Sequence, residues 1–465
     1  MSKKKSSFKF IHVADLHLGR KISVGDKSSK KENSEYFSLI DEDARKTAFE
    51  APLTALENLV KVAIENKVDF IVIAGDIFDK HENSGPYYKY FKQKLVELSL
   101  ENIRVYIAFG NHDRTGYKKG ELDLLSEYKG GDILPDSVFV FNDTDSETFL
   151  DPLCTAAIHG QSYEAQHIHE SLVEDFPSRK EKSLNIGVIH TNFEGTSSPD
   201  EKGYAPTSLN LIKPLKYDYW ALGHIHKRYN PTEDKDNNIE YSGSPQGLDI
   251  TETGKKGCYM VSVEDNKVAK KKFLPLDSAR FFEIHLHIES KDTWSKFIEK
   301  VQKLCLEQKH LNPEHLCMFD LKVTGKNSEI NKNLKSLIQL NDLVTYSRPG
   351  SDGSQIIRIL NEVQNTKSTD DNRSLDIVEA LIKEYKEFDY DELTNIVFNE
   401  AKLNLEIEIQ NLTKDKNIDG INKKTFERHS PIQSLDEDLD IEEIVETAKL
   451  IAENILNGKP YGVDS

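Results

Sequence analysis

Short apolar runs alternate with longer amphipathic stretches in the first part of the chain. The runs at 8–13, 70–74 and 105–109 are rich in β-branched and aromatic residues, which is typical of buried strands. Between them, apolar residues recur every three or four positions at 53–64 and 90–98, which indicates amphipathic helices. This β-α-β-α-β order predicts a largely parallel α/β core.

The strand pattern continues beyond the first core. Further strands are predicted at 186–190, 219–222, 240–242 and 258–263. The last two are closely spaced along the chain, so we expect them to be antiparallel. A layered α/β sandwich over residues 1–280 is the simplest assembly of these elements.

The pattern changes after residue 280. An alternating strand at 282–288, a helix at 294–304 and a strand at 318–323 predict a small second α/β domain over 281–365. The third region, 366–465, is predicted to be helical and contains a polar linker at 414–433.

The last predicted helix has clear ends. Asp440 is a suitable N-cap, and Gly458 and Pro460 follow the last apolar position. Its apolar face must be buried, either on the body of the chain or on a partner, and the sequence leaves both open.

Composition fits a multidomain chain. Its 465 residues exceed the roughly 250–300 at which one hydrophobic core stops growing. No apolar run approaches the ~20 residues needed to cross a bilayer, and the first 13 residues lack a cleavage site of the secretory type. Four scattered cysteines, Cys154, Cys258, Cys305 and Cys317, form no C-x-x-C pair. We therefore expect a cytoplasmic protein with reduced cysteines and no membrane partner.

The formal net charge of −18 disfavours a module that coats nucleic acid by simple electrostatic attraction. A polyanionic substrate would need bound metals and a local basic surface to attract it.

Residue types that bind metals cluster directly after predicted strands. Seven such side chains lie in five separate segments: Asp15, His17, Asp76, Asn111, His190, His224 and His226. Strand ends are where open α/β sheets bind ligands, so we expect these segments to converge. Seven side chains are too many for one ion, and Asp76 is the best candidate to bridge two ions. Carboxylate, imidazole and amide ligands suit Mn²⁺, Fe²⁺ or Zn²⁺.

These motifs resemble those of the calcineurin-like metallophosphoesterase superfamily over roughly residues 8–275. The segments 15–20, 75–79, 219–226 and 242–247 are similar to the SbcD-type DNA-repair exonucleases, which include the meiotic-recombination nuclease and the bacterial YhaO-like proteins. The resemblance implies a β-sandwich flanked by helices, a small α/β capping domain and a helical C-terminal tail. It also assigns the ligands: one ion on Asp15, His17, Asp76 and His226, and the other on Asp76, Asn111, His190 and His224.

The same resemblance implies roles for residues around the ions. His112 would donate to the scissile phosphate or to the leaving group, and Asp113 would orient it and favour its protonated form. Arg20, Lys21 and Arg114 flank the metal segments and are candidates for contact with the DNA backbone.

The implied activity is a manganese-dependent 3′-to-5′ exonuclease and single-strand endonuclease in DNA repair, with two Mn²⁺ ions or, alternatively, Fe²⁺, Zn²⁺ or Mg²⁺. Its implied partners are DNA, an SbcC-like coiled-coil ATPase and a second copy of the chain. After Asp79 the chain has Lys80-His81, which differs from the Gly-Asp-x-x-Asp-Arg-Gly motif of the protein phosphatases.

Two alternatives remain open. A phosphodiesterase acting on a small nucleotide, such as a cyclic nucleotide, can display the same motifs, although such enzymes seldom carry about 185 residues beyond position 280. A non-catalytic scaffold could keep the fold, but it would not need the metal residues or His112.

Overall fold

The computed structural model describes residues 4–22, 42–79, 85–114, 134–194, 204–232, 237–334 and 354–364. The predicted helical tail at 366–465, with its linker at 414–433 and the helix that starts after Asp440, lies outside the described residues.

The described strands number fourteen. In chain order they are β1 (Phe8–Val13), β2 (Phe70–Ala74), β3 (Arg104–Ala108), β4 (Val138–Val140), β5 (Glu147–Leu150), β6 (Ala156–Gly160), β7 (Leu184–His190), β8 (Tyr219–Gly223), β9 (Ile239–Tyr241), β10 (Gly257–Glu264), β11 (Lys267–Pro275), β12 (Ala279–Ile288), β13 (Leu316–Lys326) and β14 (Ser354–Gln364).

The α-helices in the same part of the chain are α1 (Glu42–Glu65), α2 (Gly85–Leu100), α3 (Leu209–Ile212), α4 (Trp294–Leu311) and α5 (Ser328–Leu334). Short 3-10 turns occur at His112–Arg114, Leu172–Asp175 and Lys213–Leu215. Among the described helices, none combines the length and the apolar character needed to span a bilayer.

The strands form three sheets. The first has six strands in the order β11-β10-β1-β2-β3-β4, and the second has five in the order β5-β6-β7-β8-β9. Strands β1 to β4 run parallel, and so do β6 to β9. The chain therefore has a mixed α/β fold with several sheets.

The expectation of antiparallel strands at 240–242 and 258–263 is confirmed for the second strand and wrong for the first. The strand expected at 240–242 is β9, which runs parallel to β8 in the five-stranded sheet. The strand expected at 258–263 is β10, which pairs antiparallel with β1 in the six-stranded sheet. The segment between β9 and β10 crosses from one sheet to the other, so closeness along the chain does not make them partners.

The two larger sheets pack face to face around an apolar core. From the six-stranded sheet, Phe10 and Tyr106 are fully buried against Ile186 and Tyr219 of the five-stranded sheet. Burial of side chains of this size stabilises the fold by about 1.5–3 kcal/mol each. The outer face of the six-stranded sheet is covered by α1 and α2. Strands covered on both faces need continuous apolar runs, which explains the pattern of β1, β2 and β3.

The third sheet contains only parallel strands in the order β12-β13-β14. One face packs on α4 and α5 through residues such as Ile284, Leu286 and Phe297. Helix α4 begins where the Thr293 side chain accepts a hydrogen bond from the backbone N–H of Lys296.

A separate cluster joins Phe281 and Met318 to the N-terminal half of α1. The three-stranded sheet therefore contacts the sandwich directly, and its role as a capping domain over 281–365 stays a prediction.

All four cysteines are free and buried. They are packing residues in this structure.

Candidate metal centre

The side chains of the candidate centre follow strands of both larger sheets. Asp15 and His17 follow β1, Asp76 follows β2 and Asn111 follows β3, all in the six-stranded sheet. His190 ends β7, and His224 and His226 follow β8 in the five-stranded sheet. The carboxyl ends of these parallel strands meet at one end of the sandwich, so the packing of the two sheets brings five segments together.

The backbone is strained at this meeting point. Asp15, His17, Asp76 and His224 have φ values of 57°, 45°, 54° and 105°, a region that residues with a Cβ seldom adopt. Gly75 has a φ of 91°, and a Cβ built on it would lie 2.5 Å from Nδ1 of His190. Only glycine fits there without displacing that imidazole. Such strain is retained where the surrounding structure holds a functional arrangement.

A first group of ligand atoms lies around His17. Its Nε2 is 2.9 Å from Nε2 of His226 and 3.6 Å from Oδ2 of Asp76. Asp15, His17 and His226 each offer an atom within 4.8 Å of the other two. These residues could hold one ion.

A second group lies around His190. Its Nδ1–H donates to the carbonyl oxygen of Ala74 at 3.0 Å, which directs Nε2 to the other side of the ring. That Nε2 is 2.9 Å from Oδ1 of Asn111 and 3.4 Å from Oδ2 of Asp76. The ring of His224 lies 5.2 Å from that of His190. Oδ2 of Asp76 thus approaches Nε2 of both His17 and His190.

The donors in both groups fit cations. Oδ2 of Asp15 is buried without a hydrogen-bond partner, and Nδ1 of His17 lies 3.6 Å from Oδ1 of Asp79. Burial, together with the negative charge of Asp76, raises the pKa of Asp15 to about 6. A positive ion beside the buried Oδ2 of Asp15 would stabilise it. Carboxylate, imidazole and amide donors suit a divalent transition metal.

The charges in the centre are strongly coupled. Burial opposes ionisation of Asp76, but His190 and His17 outweigh it and hold the pKa of Asp76 far below its ordinary value. Burial lowers the pKa of His190, but Asp76 and Asp15 outweigh it and raise that pKa to about 9.

His112 lies at the edge of the centre, with its side chain 33% exposed. Its backbone N–H donates to Oδ1 of Asp76 at 2.9 Å, and its ring is 4.7 Å from the ring of His17. The imidazole Nδ1–H donates to the carbonyl oxygen of Asp79 at 2.8 Å, and the Asp79 carboxylate is 3.6 Å away.

Asp113 does not orient His112 as expected. Its carboxylate accepts hydrogen bonds from the backbone N–H groups of Phe78 and Gly110, both at 2.9 Å. Asp113 therefore ties together two segments that carry ligands, whereas Asp79 makes the contact with His112. The motif after β2 contains Asp79, but its spacing does not show which histidine it contacts.

The basic residues near the centre differ in accessibility. Lys21 is exposed, and Arg20 is partly buried with Nε 3.9 Å from Oδ1 of Asp79. Arg114 is only 4% exposed, and its guanidinium donates to the carbonyl of Tyr163 at 2.7 Å and to Asp143 at 3.1 Å. The side chain of Arg114 is thus bonded inside the fold, and its contact with DNA stays a prediction.

The histidines His12 and His159, which lie in strands, are structural. His12 is buried between the hydroxyl of Tyr219 and the carbonyl of Leu222. His159 is buried between Thr148 and Asn185.

One residue of the centre was not predicted. Glu252 lies 2.6 Å from Nδ1 of His226 although it is 26 positions away along the chain. No motif around it marks it as part of a site.

Comparisons with known proteins find similarity to metallophosphoesterases. Residues 8–228 match the family profile described as calcineurin-like phosphoesterase. An uncharacterized metallophosphoesterase, YhaO of Bacillus subtilis (strain 168), is 29% identical over 265 residues, which cover 56% of this chain and 58% of that protein. The alignment thus spans less than two thirds of that relative.

A DNA double-strand break repair protein, Mre11 of Methanococcus maripaludis, is 26% identical over 317 residues, or 64% of this chain and 75% of that protein. Among solved structures, TT1561 of Thermus thermophilus covers 58% of this chain and 99% of its own, with 12% identity and a TM-score of 0.34. A score at that level gives no information on activity.

Proposed function

We propose that the chain is a two-metal phosphodiesterase that cuts DNA. The match of residues 8–228 to the calcineurin-like phosphoesterase profile supports a hydrolase of that superfamily. The observation that carries the proposal is that Oδ2 of Asp76 lies 3.6 Å from Nε2 of His17 and 3.4 Å from Nε2 of His190. Four further donor side chains lie beside these residues: Asp15, Asn111, His224 and His226. The likeness to a DNA double-strand break repair protein favours DNA as the substrate.

The proposed ligands are those that the sequence motifs indicate. One ion would be held by Asp15, His17, Asp76 and His226, and the other by Asp76, Asn111, His190 and His224. When bound, two such ions supply a water of lowered pKa and Lewis-acid stabilisation of the phosphoryl oxygens. Two Mn²⁺ ions are the proposed cofactors.

The residues of the chain supply orientation and a proton. Because Nδ1–H of His112 is held by the carbonyl of Asp79, the other ring nitrogen is the one left for the substrate. A protonated ring would donate from Nε2 to a phosphate oxygen or to the leaving group. Asp113 holds the segments after β2 and β3 at a fixed distance, which keeps His112 beside Asp76.

The finer assignment extends the same proposal. We propose 3′-to-5′ exonuclease and single-strand endonuclease activity in DNA repair, as in an SbcCD-like complex. A coiled-coil ATPase, a second copy of the chain and DNA are the proposed partners, in the cytoplasm. Lys21 and Arg20 are the proposed contacts with the DNA backbone.

The experiment compares two substrates with the full chain. Purified protein with Mn²⁺ is incubated with labelled duplex DNA and, separately, with a cyclic nucleotide. We expect cleavage of the DNA, and we expect His112→Ala to lower its rate about 10²- to 10⁴-fold with metal content unchanged. His285→Ala, an exposed histidine of β12, is the matched control and should retain full activity.

Turnover of the cyclic nucleotide alone would replace the nuclease proposal with a small-nucleotide phosphodiesterase. Turnover of neither substrate would contradict both and favour a scaffold.

A further inference from the structure

Glu252 contacts the outer nitrogen of His226. Oε1 of Glu252 is 2.6 Å from Nδ1 of His226, while the other ring nitrogen, Nε2, is 2.9 Å from Nε2 of His17. Because a carboxylate can only accept, the hydrogen of a neutral His226 ring must be on Nδ1. Nε2 then has a free lone pair that faces the first group of ligand atoms.

Glu252 is itself held firmly. Its second oxygen, Oε2, accepts from the backbone N–H of Leu248 at 3.1 Å and from the hydroxyl of Ser244 at 3.3 Å. The ammonium of Lys256 is 3.5 Å from the same oxygen and donates to the carbonyl of His226 at 2.9 Å. The side chain of Glu252 is 13% exposed, so these bonds are made mostly out of water.

The surroundings of Glu252 favour its carboxylate form, because the ammonium of Lys256 and the N–H of Leu248 both face Oε2 and stabilise negative charge on it.

The segment that carries Glu252 is anchored on the three-stranded sheet. The buried side chain of Gln246 donates to the carbonyl of Ala279 at 2.6 Å and accepts from the N–H of Ser278 at 3.0 Å. The N–H of Gly254 donates to the carbonyl of Phe281 at 3.1 Å. The start of β12 thus fixes the segment on both sides of Glu252.

We propose that Glu252 is a positioning residue that holds His226 in the Nδ1–H form, so that its Nε2 is ready to bind a metal ion. The inference rests on the proposed two-metal function. A carboxylate behind a ligating histidine fixes the ring and raises the basicity of the ligand nitrogen, and losing such a partner typically costs about 10- to 100-fold in metal affinity.

The contact between Glu252 and His226 should affect only one of the two proposed ion sites. His226 belongs to the group with Asp15 and His17, whereas the group around His190 and Asn111 does not contain it. Loss of Glu252 should therefore weaken one ion-binding step and leave the other unchanged.

The test is calorimetric titration of the full metal-free chain with Mn²⁺. We expect two binding steps in the natural protein. In Glu252→Gln and Glu252→Ala, one step should weaken about 10- to 100-fold while the other keeps its affinity. Glutamine matches the shape of glutamate but has one acceptor oxygen. It therefore cannot accept hydrogen bonds from both Nδ1 of His226 and the backbone N–H of Leu248.

Asp249→Asn is the matched control. Asp249 is a buried carboxylate of the same segment, and its Oδ1 accepts from the N–H and hydroxyl of Thr251 at 3.0 and 2.7 Å. This variant should keep both steps. Thermal unfolding of each metal-free variant detects general damage to the fold, which would weaken both steps together.

The outcomes separate the two proposals. Equal weakening of both steps, or unchanged binding in the Glu252 variants, would overturn the positioning role. A natural protein that binds fewer than two ions would overturn it together with the two-metal proposal. Two-step binding with the selective loss, but no cleavage of DNA, would support the role of Glu252 and contradict only the nuclease.

Discussion

At the scale of single residues, the centre depends on the buried carboxylate of Asp76. Its side chain is 3% exposed, Oδ1 accepts from the backbone N–H of His112, and Oδ2 lies 3.6 and 3.4 Å from Nε2 of His17 and of His190. Asp15 also approaches His190, at 3.9 Å, but on the Nδ1 side that already donates to Ala74. Asp76 is therefore the residue whose charge the centre can least replace.

Replacing Asp76 with asparagine should remove that charge while keeping the shape of the side chain. We expect Asp76→Asn to lower phosphodiester hydrolysis at least about 100-fold and to reduce bound metal, because a bridging oxygen and its negative charge are lost. Hydrolysis rates and metal content by mass spectrometry measure the two effects.

Asp69→Asn is the control, because Asp69 precedes the same strand at its opposite end and pairs with Lys5 at 2.6 Å. It should keep normal metal content. Full activity in Asp76→Asn would refute the shared role of this carboxylate.

The neighbouring residues His112, Asp113 and Arg114 show how sequence adjacency can mislead. All three stand in one motif after β3, but they form a single 3-10 turn in which consecutive side chains point in different directions. His112 faces the centre, while Asp113 and Arg114 are buried and bonded within the fold.

At the scale of elements, continuous apolar runs marked several central strands, but the interior strand β6 is buried at every position and was not predicted. Strands β2, β3 and β8 are buried at every position and were predicted from their apolar runs. Strands β5 and β11 were not predicted. Both are edge strands that are largely accessible, and β11 contains four lysines, so neither has a continuous apolar run.

The five-stranded sheet contains a histidine that should make its stability depend on pH. Nδ1 of His159 in β6 is 2.8 Å from the hydroxyl of Thr148 in β5, and Nε2 is 3.0 Å from Oδ1 of Asn185 in β7. Burial lowers the pKa of His159 from 6.5 to about 4, although Asn185 opposes the shift.

Because its pKa is lower when folded, His159 takes up its proton more readily in the unfolded chain between pH 6.5 and about 4. The stability that it contributes is full above pH 6.5 and is lost as the pH falls toward 4. We expect a loss of up to about 3 kcal/mol, at roughly 1.36 kcal/mol per pKa unit.

Urea unfolding at about pH 7, 6 and 5 measures this dependence. His159→Gln should make it shallower by up to about one proton, whereas His310→Gln, at an exposed position of α4, should leave it unchanged. An unaltered slope in His159→Gln would assign the pH dependence to other groups.

At the scale of the whole molecule, the centre lies where two sheets meet. Asp15, Asp76 and Asn111 come from one sheet, and His190, His224 and His226 from the other. An ion that binds both sets crosslinks the halves of the sandwich, so metal binding and folding should be coupled.

Metal should therefore stabilise the whole sandwich. At an Mn²⁺ concentration of about 100 times the dissociation constant, each site should add about 2.7 kcal/mol to the free energy of unfolding. Urea unfolding of the full chain with Mn²⁺ and with a chelator measures the difference. Equal midpoints in the two conditions would show that the folded centre does not bind the ion.

The sequence by itself determined the local features of this protein. Apolar continuity marked several central strands, because strands buried on both faces consist mainly of apolar residues. Donor residues after strand ends marked the candidate ligands, because the chemistry of metal binding restricts the residue types.

Only the tertiary structure decided which of these residues share a site. It placed β9 and β10 in different sheets, directed Asp113 and Arg114 into the fold, and brought Glu252 to His226 across 26 positions. Such pairings depend on how two sheets and their connecting segments pack in space. The pattern of residues along the chain does not show which distant segments lie close together in space. Tertiary packing determines these contacts.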